Sequence, residues 1–328
     1  MSKSLKVGIL SMGEMGVGIA KLLIAHGFPV ATNCQGRSQD TIDRAREANV
    51  ELLSSDLELV NQCQLILSVV PPRDAEATAQ RVIDALSGGP KREDLYYADL
   101  NAVAPSTCRG IATTIEKARV PIRFIDGCII GGPPRSKDAP DPGTNQTASD
   151  DSHASWKRPR IPVSGPDSLA DLPDGAEVAD VLNFRVISPS IGAASGLKMC
   201  FAAMTKGFTA IATQTFTTAR SLGVADELHT EMAELIPRQL QIAEGSVPSM
   251  VPKAYRWVRE MEEIAKTMEE DGGWTRGLFD GAAGIYREVA SDLTLKEEKP
   301  GKRKRGTTIE EVATIMSEGL QKKKKKTV

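Results

Sequence analysis

Aromatic residues and long apolar runs are both scarce in this sequence of 328 residues. Phe, Trp and Tyr together make up 4% of it, while apolar residues as a whole reach 41% and charged residues 26%. This balance is typical of a soluble globular protein whose core is built from aliphatic side chains. No apolar run approaches the roughly 18 residues of a membrane helix, so we expect no membrane partner. The chain starts directly with a strand-like segment, which predicts no secretory signal and a cytoplasmic location.

Cysteine and histidine are also few, and they are scattered. The odd number of cysteines, with no CxxC pair, predicts reduced thiols rather than a disulfide framework or a zinc site. The histidines form no cluster, so we predict no metal. These residues are Cys34, Cys63, Cys108, Cys128 and Cys200, with His26, His153 and His229.

Positive charge is concentrated at the end of the chain. From Lys302 onward there are nine Lys or Arg against three Glu, a net charge of +6, so the rest of the chain carries −8 of the total of −2. A nucleic-acid-binding domain carries its basic charge on the folded body, which this acidic body excludes. Only the tail is suited to bind nucleic acid, and its run from Pro300 to Arg305 is similar to a nuclear-import signal.

The first half of the chain alternates short apolar runs with amphipathic helical stretches. This alternation predicts an α/β fold with a parallel sheet covered on both faces, that is, a Rossmann-type doubly wound domain over residues 1–190. A Pro-, Gly- and Asp-rich stretch over 133–160 breaks the pattern, and we expect it to be a mobile insertion. The predicted strands cover residues 5–10, 30–34, 64–70, 95–98, 122–125, 160–164 and 184–187.

The second half is predicted to be helical only, as an all-α domain over 191–295. Its first, long helix carries an apolar stripe at spacings of four and three residues, ending near Gly223. An apolar helix face of this size has to be buried against another protein surface, so we expect a homodimer. Residues 296–328 are expected to form a largely disordered basic tail, with one exposed helix over 307–322. The stripe consists of Leu197, Phe201, Met204, Phe208 and Ile211.

A glycine-rich turn joins the first predicted strand to the first helix. It has the pattern G-x-G-x-x-G, with Ser11 in place of the first glycine. Gly13 allows the backbone to approach a pyrophosphate, and Gly16 allows close packing of helix and strand. The helix N-terminus offers free N–H groups to the phosphates. We therefore assign a dinucleotide to this turn; the alternative is a purely structural tight turn. The residues predicted to bind it here are Ser11, Met12, Gly13, Met15 and Gly16.

The second strand ends without the Asp or Glu that usually binds the ribose of NAD, since no acid precedes Asp40. Arg37 can instead bind a 2′-phosphate through its guanidinium group, and Asn33 and Ser38 can add hydrogen bonds. This favours NADP, with NAD as the alternative, and with Arg37 as an ordinary solvated residue as the competing interpretation.

With these motifs in place, the chain resembles the 6-phosphogluconate dehydrogenase-like, β-hydroxyacid dehydrogenase superfamily. Within it, the chain resembles the branch whose C-terminal domain is described as a putative phosphogluconate dehydrogenase NAD-binding protein. The resemblance covers about residues 5–290. It is carried by the order and spacing of the stretches 11–16, 68–72, 97–106, 126–132, 192–198 and 256–264.

The resemblance implies a role for particular residues. Lys198 corresponds to the catalytic lysine at the start of the interdomain helix, where it would act as general acid and base on the substrate. Asn101 would bind the nicotinamide ribose or the substrate, and Gly131 and Gly132 would hold a substrate carboxylate. From the residues alone, a surface lysine and a plain turn are the alternatives. Val70 and Pro71 lie where the family places the nicotinamide ribose.

The sequence departs from the family pattern at three positions. Ser11 replaces a glycine, Ile130 stands where a serine helps to hold the substrate, and Ala202 stands where hydroxyacid enzymes have asparagine. The last two changes remove polar groups from the expected substrate pocket. Glu260 and Glu263 lie three residues apart on a predicted helix, and we expect them to be solvated surface carboxylates.

We therefore predict an NADP-dependent oxidoreductase that acts on a small hydroxy acid or a related carbonyl compound, with Lys198 as the acid and base. Two alternatives stay open. One is an imine reductase of the same architecture, and the other is a cofactor-binding module without catalysis, whose basic tail docks on chromatin or another acidic partner.

Overall fold

The computed structural model describes residues 3–87, 95–137, 155–297 and 303–327. The chain divides into two compact units, residues 1–198 and 199–328. The division falls eight residues after the boundary predicted at 190, because the first turns of the helix that carries Lys198 group with the N-terminal unit.

The N-terminal unit is built on an eight-stranded sheet with the order β10-β9-β6-β5-β4-β1-β2-β3. The strands from β3 to β6 are all parallel and follow the order of a dinucleotide-binding fold. Strand β9 is antiparallel to β6, and β10 runs parallel to β9. The strands are β1 (Val7–Leu10), β2 (Val30–Asn33), β3 (Glu51–Leu53), β4 (Leu65–Ser68), β5 (Leu95–Asp99), β6 (Ile122–Gly127), β9 (Ile161–Ser164) and β10 (Phe184–Ser188), and a separate hairpin pairs β7 (Arg135–Ser136) with β8 (Trp156–Lys157).

Helices cover both faces of this sheet, as the apolar runs predict. Successive strand residues enter opposite cores: Leu65 and Leu67 lie in one cluster and Ile66 in the other. The predicted Rossmann-type architecture is therefore confirmed. The helices of this unit are α1 (Glu14–Ala25), α2 (Gln39–Glu47), α3 (Asp56–Gln62), α4 (Ala75–Ser87), α5 (Pro105–Ala118) and α6 (Gly175–Val181). The next helix, α7 (Ala193–Ala202), begins in this unit and continues beyond its last residue, Lys198.

Two features of this unit differ from the predictions. Strand β3 and helix α3 were not predicted, since β3 has only three residues and only Leu53 of them is buried. The ends of the insertion predicted to be mobile are ordered in the hairpin of β7 and β8, and Pro134 packs on Gly18 of α1. The middle of the insertion, residues 138–154, lies outside the described residues.

The C-terminal unit is helical, as predicted. A π-helical turn, Ala203–Gly207, follows α7 and leads into α8. The Tyr286 hydroxyl donates a hydrogen bond to the carbonyl of Lys206 in this turn. The helices are α8 (Phe208–Leu222), α9 (Ala225–Leu235), α10 (Pro237–Met250), α11 (Ala254–Glu270), α12 (Gly277–Ser291) and α13 (Ile309–Thr327).

The expectation that Glu260 and Glu263 are solvated is wrong. Glu260 forms an ion pair with Lys206, and both side chains are largely buried. Glu263 is only 2% exposed, and its carboxylate lies 2.8 Å from the Arg259 guanidinium. Helix α11 can bury these carboxylates because a cation partners each of them.

The tail prediction is also wrong for the described residues 303–327. Helix α13 is not exposed, because Ile309, Val312 and Met316 of its apolar stripe are buried against α8 and α10. In the basic run, Arg303 donates hydrogen bonds to the carbonyls of Pro248 and Gly306. The five lysines from Lys322 lie at the C-terminal end of α13, where the helix dipole favours cations.

No helix among the described residues has the length and apolar character needed to cross a membrane. Within the same residues, no group of three or more His, Cys, Asp or Glu side chains is arranged to hold a metal ion.

Candidate cofactor-binding and catalytic site

The glycine-rich turn between β1 and α1 has the shape that a dinucleotide needs. Ser11 has a φ of 89°, the left-handed region in which the family's glycine is favoured. A Cβ on Gly16 would lie 2.0 Å from the Ser11 carbonyl oxygen, so only glycine fits there. Around Gly13, the nearest atom to a built Cβ is 4.0 Å away, and α1 starts without a side-chain cap. The open turn and the uncapped amides fit a pyrophosphate.

The end of β2 leads into a tight turn that presents Arg37. Gly36 adopts a φ of 72°, and the Arg37 amide donates to the Cys34 carbonyl at 3.0 Å. Arg37 is exposed, and Ser38 occupies the N-cap position of α2 without a side-chain capping hydrogen bond. The amide side chain of Asn33 is already engaged, since its oxygen accepts from the Gln35 amide at 2.9 Å.

Arg44, which the sequence did not single out, connects α2 to the glycine-rich turn. Its Nε donates to the Met12 carbonyl at 3.2 Å, and its Nη2 donates to the Thr41 hydroxyl at 3.1 Å. The Thr41 hydroxyl is in turn 3.0 Å from that of Ser38. Hydroxyls and a guanidinium therefore gather beside the predicted 2′-phosphate position.

A carboxylate also reaches the end of β2, although none precedes Asp40 in that part of the sequence. Asp56, the first residue of α3, accepts a hydrogen bond of 2.7 Å from Asn33 Nδ2. Arg81 of α4 binds the same carboxylate with two bonds of 2.9 Å.

At the ends of β4 and β5, a buried network surrounds Asn101. Its Oδ1 accepts from the Val70 amide at 2.7 Å, and its Nδ2 donates to Ser68 at 2.9 Å and to Asp99 at 2.8 Å. Asn101 therefore fixes the end of β4, with both of its side-chain N–H bonds used within the protein. Burial raises the pKa of Asp99 to about 7. Pro71 follows Val70 at the exposed edge.

Asp126, at the end of β6, fixes the start of α7. Its side chain is fully buried. Its carboxylate accepts the amides of Gly192 at 2.8 Å, Ala194 at 3.1 Å and Ser195 at 3.3 Å. It also accepts the hydroxyls of Ser164 at 2.7 Å and Ser195 at 2.6 Å. The carboxylate thus satisfies amides that an α-helix leaves without intrahelical partners at its N-terminus.

Lys198 follows one turn later on α7 and points back at the segment after β6. Its Nζ donates to the Ile129 carbonyl at 2.6 Å. The side chain is partly buried, and loss of solvation lowers its pKa from that of an ordinary lysine. Burial raises the pKa of the neighbouring Cys128 to about 12, so the thiol stays neutral beside the ammonium group.

Gly131 and Gly132 lie two and three residues after Ile129, whose carbonyl Lys198 contacts. Both are exposed, and Gly131 has a φ of 130°, where a side chain is strained. Ile130, in the family's serine position, is tied to Arg160 by two backbone hydrogen bonds of 2.8 and 2.9 Å. Ala202 is buried at the end of α7.

The structure therefore brings Lys198 and the segment 129–132 together, and it groups the cofactor candidates at the ends of β1, β2, β4 and β5. The sequence interpretation missed Arg44, Asp56 and Arg81, because tertiary packing alone brings them to this edge. It also missed Asp126 as the anchor of α7, although its place in the Asp-Gly-Cys-Ile-Ile-Gly-Gly stretch offered a signal.

Two protein families match the chain. Residues 6–151 match the NAD binding domain of 6-phosphogluconate dehydrogenase, and residues 219–289 match a domain of unknown function, DUF1932. An uncharacterized 28.5 kDa protein of Methanothermus fervidus is 25% identical over 224 residues, which are 68% of this chain and 74% of that protein. The mitochondrial 3-hydroxyisobutyrate dehydrogenase of Mus musculus is 25% identical over 134 residues, 40% of this chain and 38% of the enzyme.

Solved structures share the fold. A Mycobacterium tuberculosis 3-hydroxyisobutyrate dehydrogenase with L-serine gives a TM-score of 0.63 at 15% identity, over 96% of this chain and 98% of that chain. A reductive aminase from Aspergillus terreus in complex with NADPH and ethyl-5-oxohexanoate gives 0.51 at 16% identity, over 96% and 98%.

The glycine-rich turn, the sheet order and both family matches agree with the expectation from the sequence motifs. The chain therefore contains an NAD-binding domain of the 6-phosphogluconate dehydrogenase type, followed by a DUF1932 domain.

Proposed function

We propose that the protein is an NADP-dependent oxidoreductase that interconverts a small hydroxy acid, or a related alcohol, with its carbonyl form, using Lys198 as general acid and base. The observation that carries this proposal is the hydrogen bond of 2.6 Å from the Lys198 ammonium to the carbonyl of Ile129, two residues before Gly131. Its environment is partly desolvated, as an acid-base lysine requires.

The N-terminal unit fits the cofactor. Amides at the start of α1 would hold the pyrophosphate, with Gly16 keeping the turn closed on Ser11. Arg37 and Ser38 would bind a 2′-phosphate, which favours NADP over NAD. Asn101 orders Val70 at the end of β4, where the nicotinamide ribose is expected.

When bound, the nicotinamide ring supplies the hydride acceptor or donor. Lys198 Nζ accepts the proton of the substrate hydroxyl during oxidation and returns a proton to the carbonyl oxygen during reduction. A lysine with a lowered pKa exchanges that proton more readily near neutral pH. The amides of Gly131 and Gly132 would hold a substrate carboxylate.

An imine substrate is the second candidate. Ile130 and Ala202 each stand where hydroxyacid enzymes have a polar residue, and the loss of these polar groups suits a substrate with little hydrogen bonding. A cationic lysine beside the ring favours the hydroxy acid, because an iminium substrate would be repelled by it.

The experiment is a screen of hydroxy acids, keto acids and cyclic imines with wild-type protein and with Lys198→Met. NADPH or NADH absorbance follows the reaction, and fluorescence titration measures cofactor binding. The proposal expects turnover of one acid or carbonyl class that is lost in Lys198→Met while NADPH still binds. Undiminished turnover in Lys198→Met refutes the role of the lysine. Binding without turnover of any compound by the wild type favours the module without catalysis.

We also propose that the protein acts as a homodimer through its helical unit. Phe201, Met204 and Ile211 are 46%, 78% and 55% exposed along one face, an unusual density of large apolar side chains in solvent. A second copy would cover this face. Light scattering of Met204→Glu should show a loss of dimer that Gln80→Glu, at an exposed position on α4 of the N-terminal unit, does not cause.

A further inference from the structure

The position that selects the ribose contains a carboxylate that the local sequence does not reveal. Asp56 starts α3, yet its Oδ1 lies 2.7 Å from Nδ2 of Asn33, the last residue of β2. In dinucleotide-binding folds, a carboxylate at the end of this strand binds the ribose 2′-hydroxyl. The same charge repels a 2′-phosphate. By itself, Asp56 would therefore oppose the NADP preference that Arg37 supports.

Arg81 cancels this charge. Its Nη2 donates to Asp56 Oδ1 and its Nε donates to Oδ2, each at 2.9 Å. This two-point contact fixes the orientation of the carboxylate as well as compensating its charge. Since Asn33 shares Oδ1, both oxygens of Asp56 are occupied before any ribose arrives.

We propose that Arg81 is a cofactor-specificity residue that acts through Asp56: by neutralising this carboxylate, it lets the end of β2 accept the 2′-phosphate of NADPH. The inference rests on the proposed function, since it assumes that a nicotinamide dinucleotide binds along this edge. Arg81 comes from α4, whereas the candidate phosphate ligands Arg37 and Ser38 come from the loop after β2, so the two contributions are separable by mutation.

The test is a fluorescence titration of the full chain with NADPH and with NADH. Arg81→Gln should raise the Kd for NADPH about tenfold, because an uncompensated carboxylate then faces the phosphate, while the Kd for NADH changes less than about threefold. The double variant Arg81→Gln/Asp56→Asn should return the NADPH/NADH ratio to within about threefold of wild type. A residue that only stabilises the fold would weaken both cofactors, and Asp56→Asn would not rescue it.

Arg46→Gln is the matched control, since it breaks an Arg–Asp pair on α2 that does not involve Asn33. It should leave both Kd values unchanged. If Arg81→Gln does not fold, Asp56→Asn alone decides: an increased preference for NADPH supports the inference, and an unchanged or decreased preference overturns it.

The possible failures are distinguishable. If wild-type protein binds neither dinucleotide, the proposed function fails and this inference fails with it. If wild-type protein binds NADPH and Arg81→Gln keeps its preference, or if the double variant is not rescued, only the role of Arg81 is overturned.

Discussion

Replacing Asp126 with asparagine should destabilise the N-terminal unit more than any comparable substitution at a surface acid. The buried carboxylate accepts three backbone amides and two hydroxyls, and four of these five bonds converge on Oδ2. An asparagine oxygen can take the place of Oδ2, so the bonds persist as neutral ones.

The magnitude follows from the loss of charge assistance. Hydrogen bonds to a charged group contribute about 1.5–3 kcal/mol and neutral ones about 0.5–1.5 kcal/mol. Four weakened bonds that share one acceptor are not additive, so we expect Asp126→Asn to lower the free energy of unfolding by about 3 kcal/mol. Ser195→Ala removes the one hydroxyl on Oδ1 and should cost about 1 kcal/mol.

Urea unfolding of both variants, followed by circular dichroism, measures these differences. Because Asp126 orients the helix that carries Lys198, the rate of hydride transfer should also fall in Asp126→Asn, while the Kd for NADPH stays near that of wild type. A loss of stability below about 1 kcal/mol in Asp126→Asn would refute the reasoning, because it would mean that the charge of the carboxylate strengthens the bonds on Oδ2 very little.

Three other substitutions test single features of the site. Oxidation needs a neutral Lys198, so kcat should rise with pH through a pKa below that of ordinary lysine, and Lys198→Arg should abolish this limb because a guanidinium keeps its proton. Ser11→Gly should raise the free energy of unfolding by about 1 kcal/mol, since Ser11 holds a φ of 89° that glycine adopts without strain. The Asp99 pKa of about 7 lies above its ordinary value of 3.8, so the folded state holds the proton more tightly. The stability of wild type relative to Asp99→Asn should therefore fall as pH rises from 4 to 7, by at most about 1.4 kcal/mol per pH unit in urea titrations.

Each of these has a contrary outcome. If kcat instead rises with pH at the pKa of free lysine, the Lys198 ammonium group is solvated by water. A destabilised Ser11→Gly would mean that the hydroxyl contributes more than the strain costs. A stability difference independent of pH would show that folding does not raise the Asp99 pKa.

Much of the N-terminal unit could be predicted from the sequence because its strands are continuous apolar runs. The strand predicted over residues 30–34, for example, matches β2 (Val30–Asn33), all of whose residues are buried. Strand β3 was not predicted because Glu51–Leu53 is a three-residue edge strand in which only Leu53 is buried. The π-helical turn after α7 was not predicted either, since it depends on contacts between distant residues. One of them is the hydrogen bond from the Tyr286 hydroxyl to the carbonyl of Lys206, 80 residues away in the sequence.

The candidate site divides in the same way. Gly13, Gly16 and Lys198 were found because local motifs contain them. Asp56 and Arg81 were not found, since they reach Asn33 only through packing of α3 and α4. The local sequence contains no acidic residue at the end of β2. The tertiary structure places Asp56 there, together with Arg81, which balances its charge.

The role of Lys198 as general acid and base is tested most directly by two measurements on wild-type protein and on Lys198→Met. These are the Kd for NADPH and the single-turnover rate of hydride transfer between the cofactor and the substrate found by the screen. We expect the same Kd in both proteins and a rate lower by about 10²- to 10⁴-fold in Lys198→Met, the usual contribution of a general acid or base. An unchanged rate would show that Lys198 is not the general acid and base.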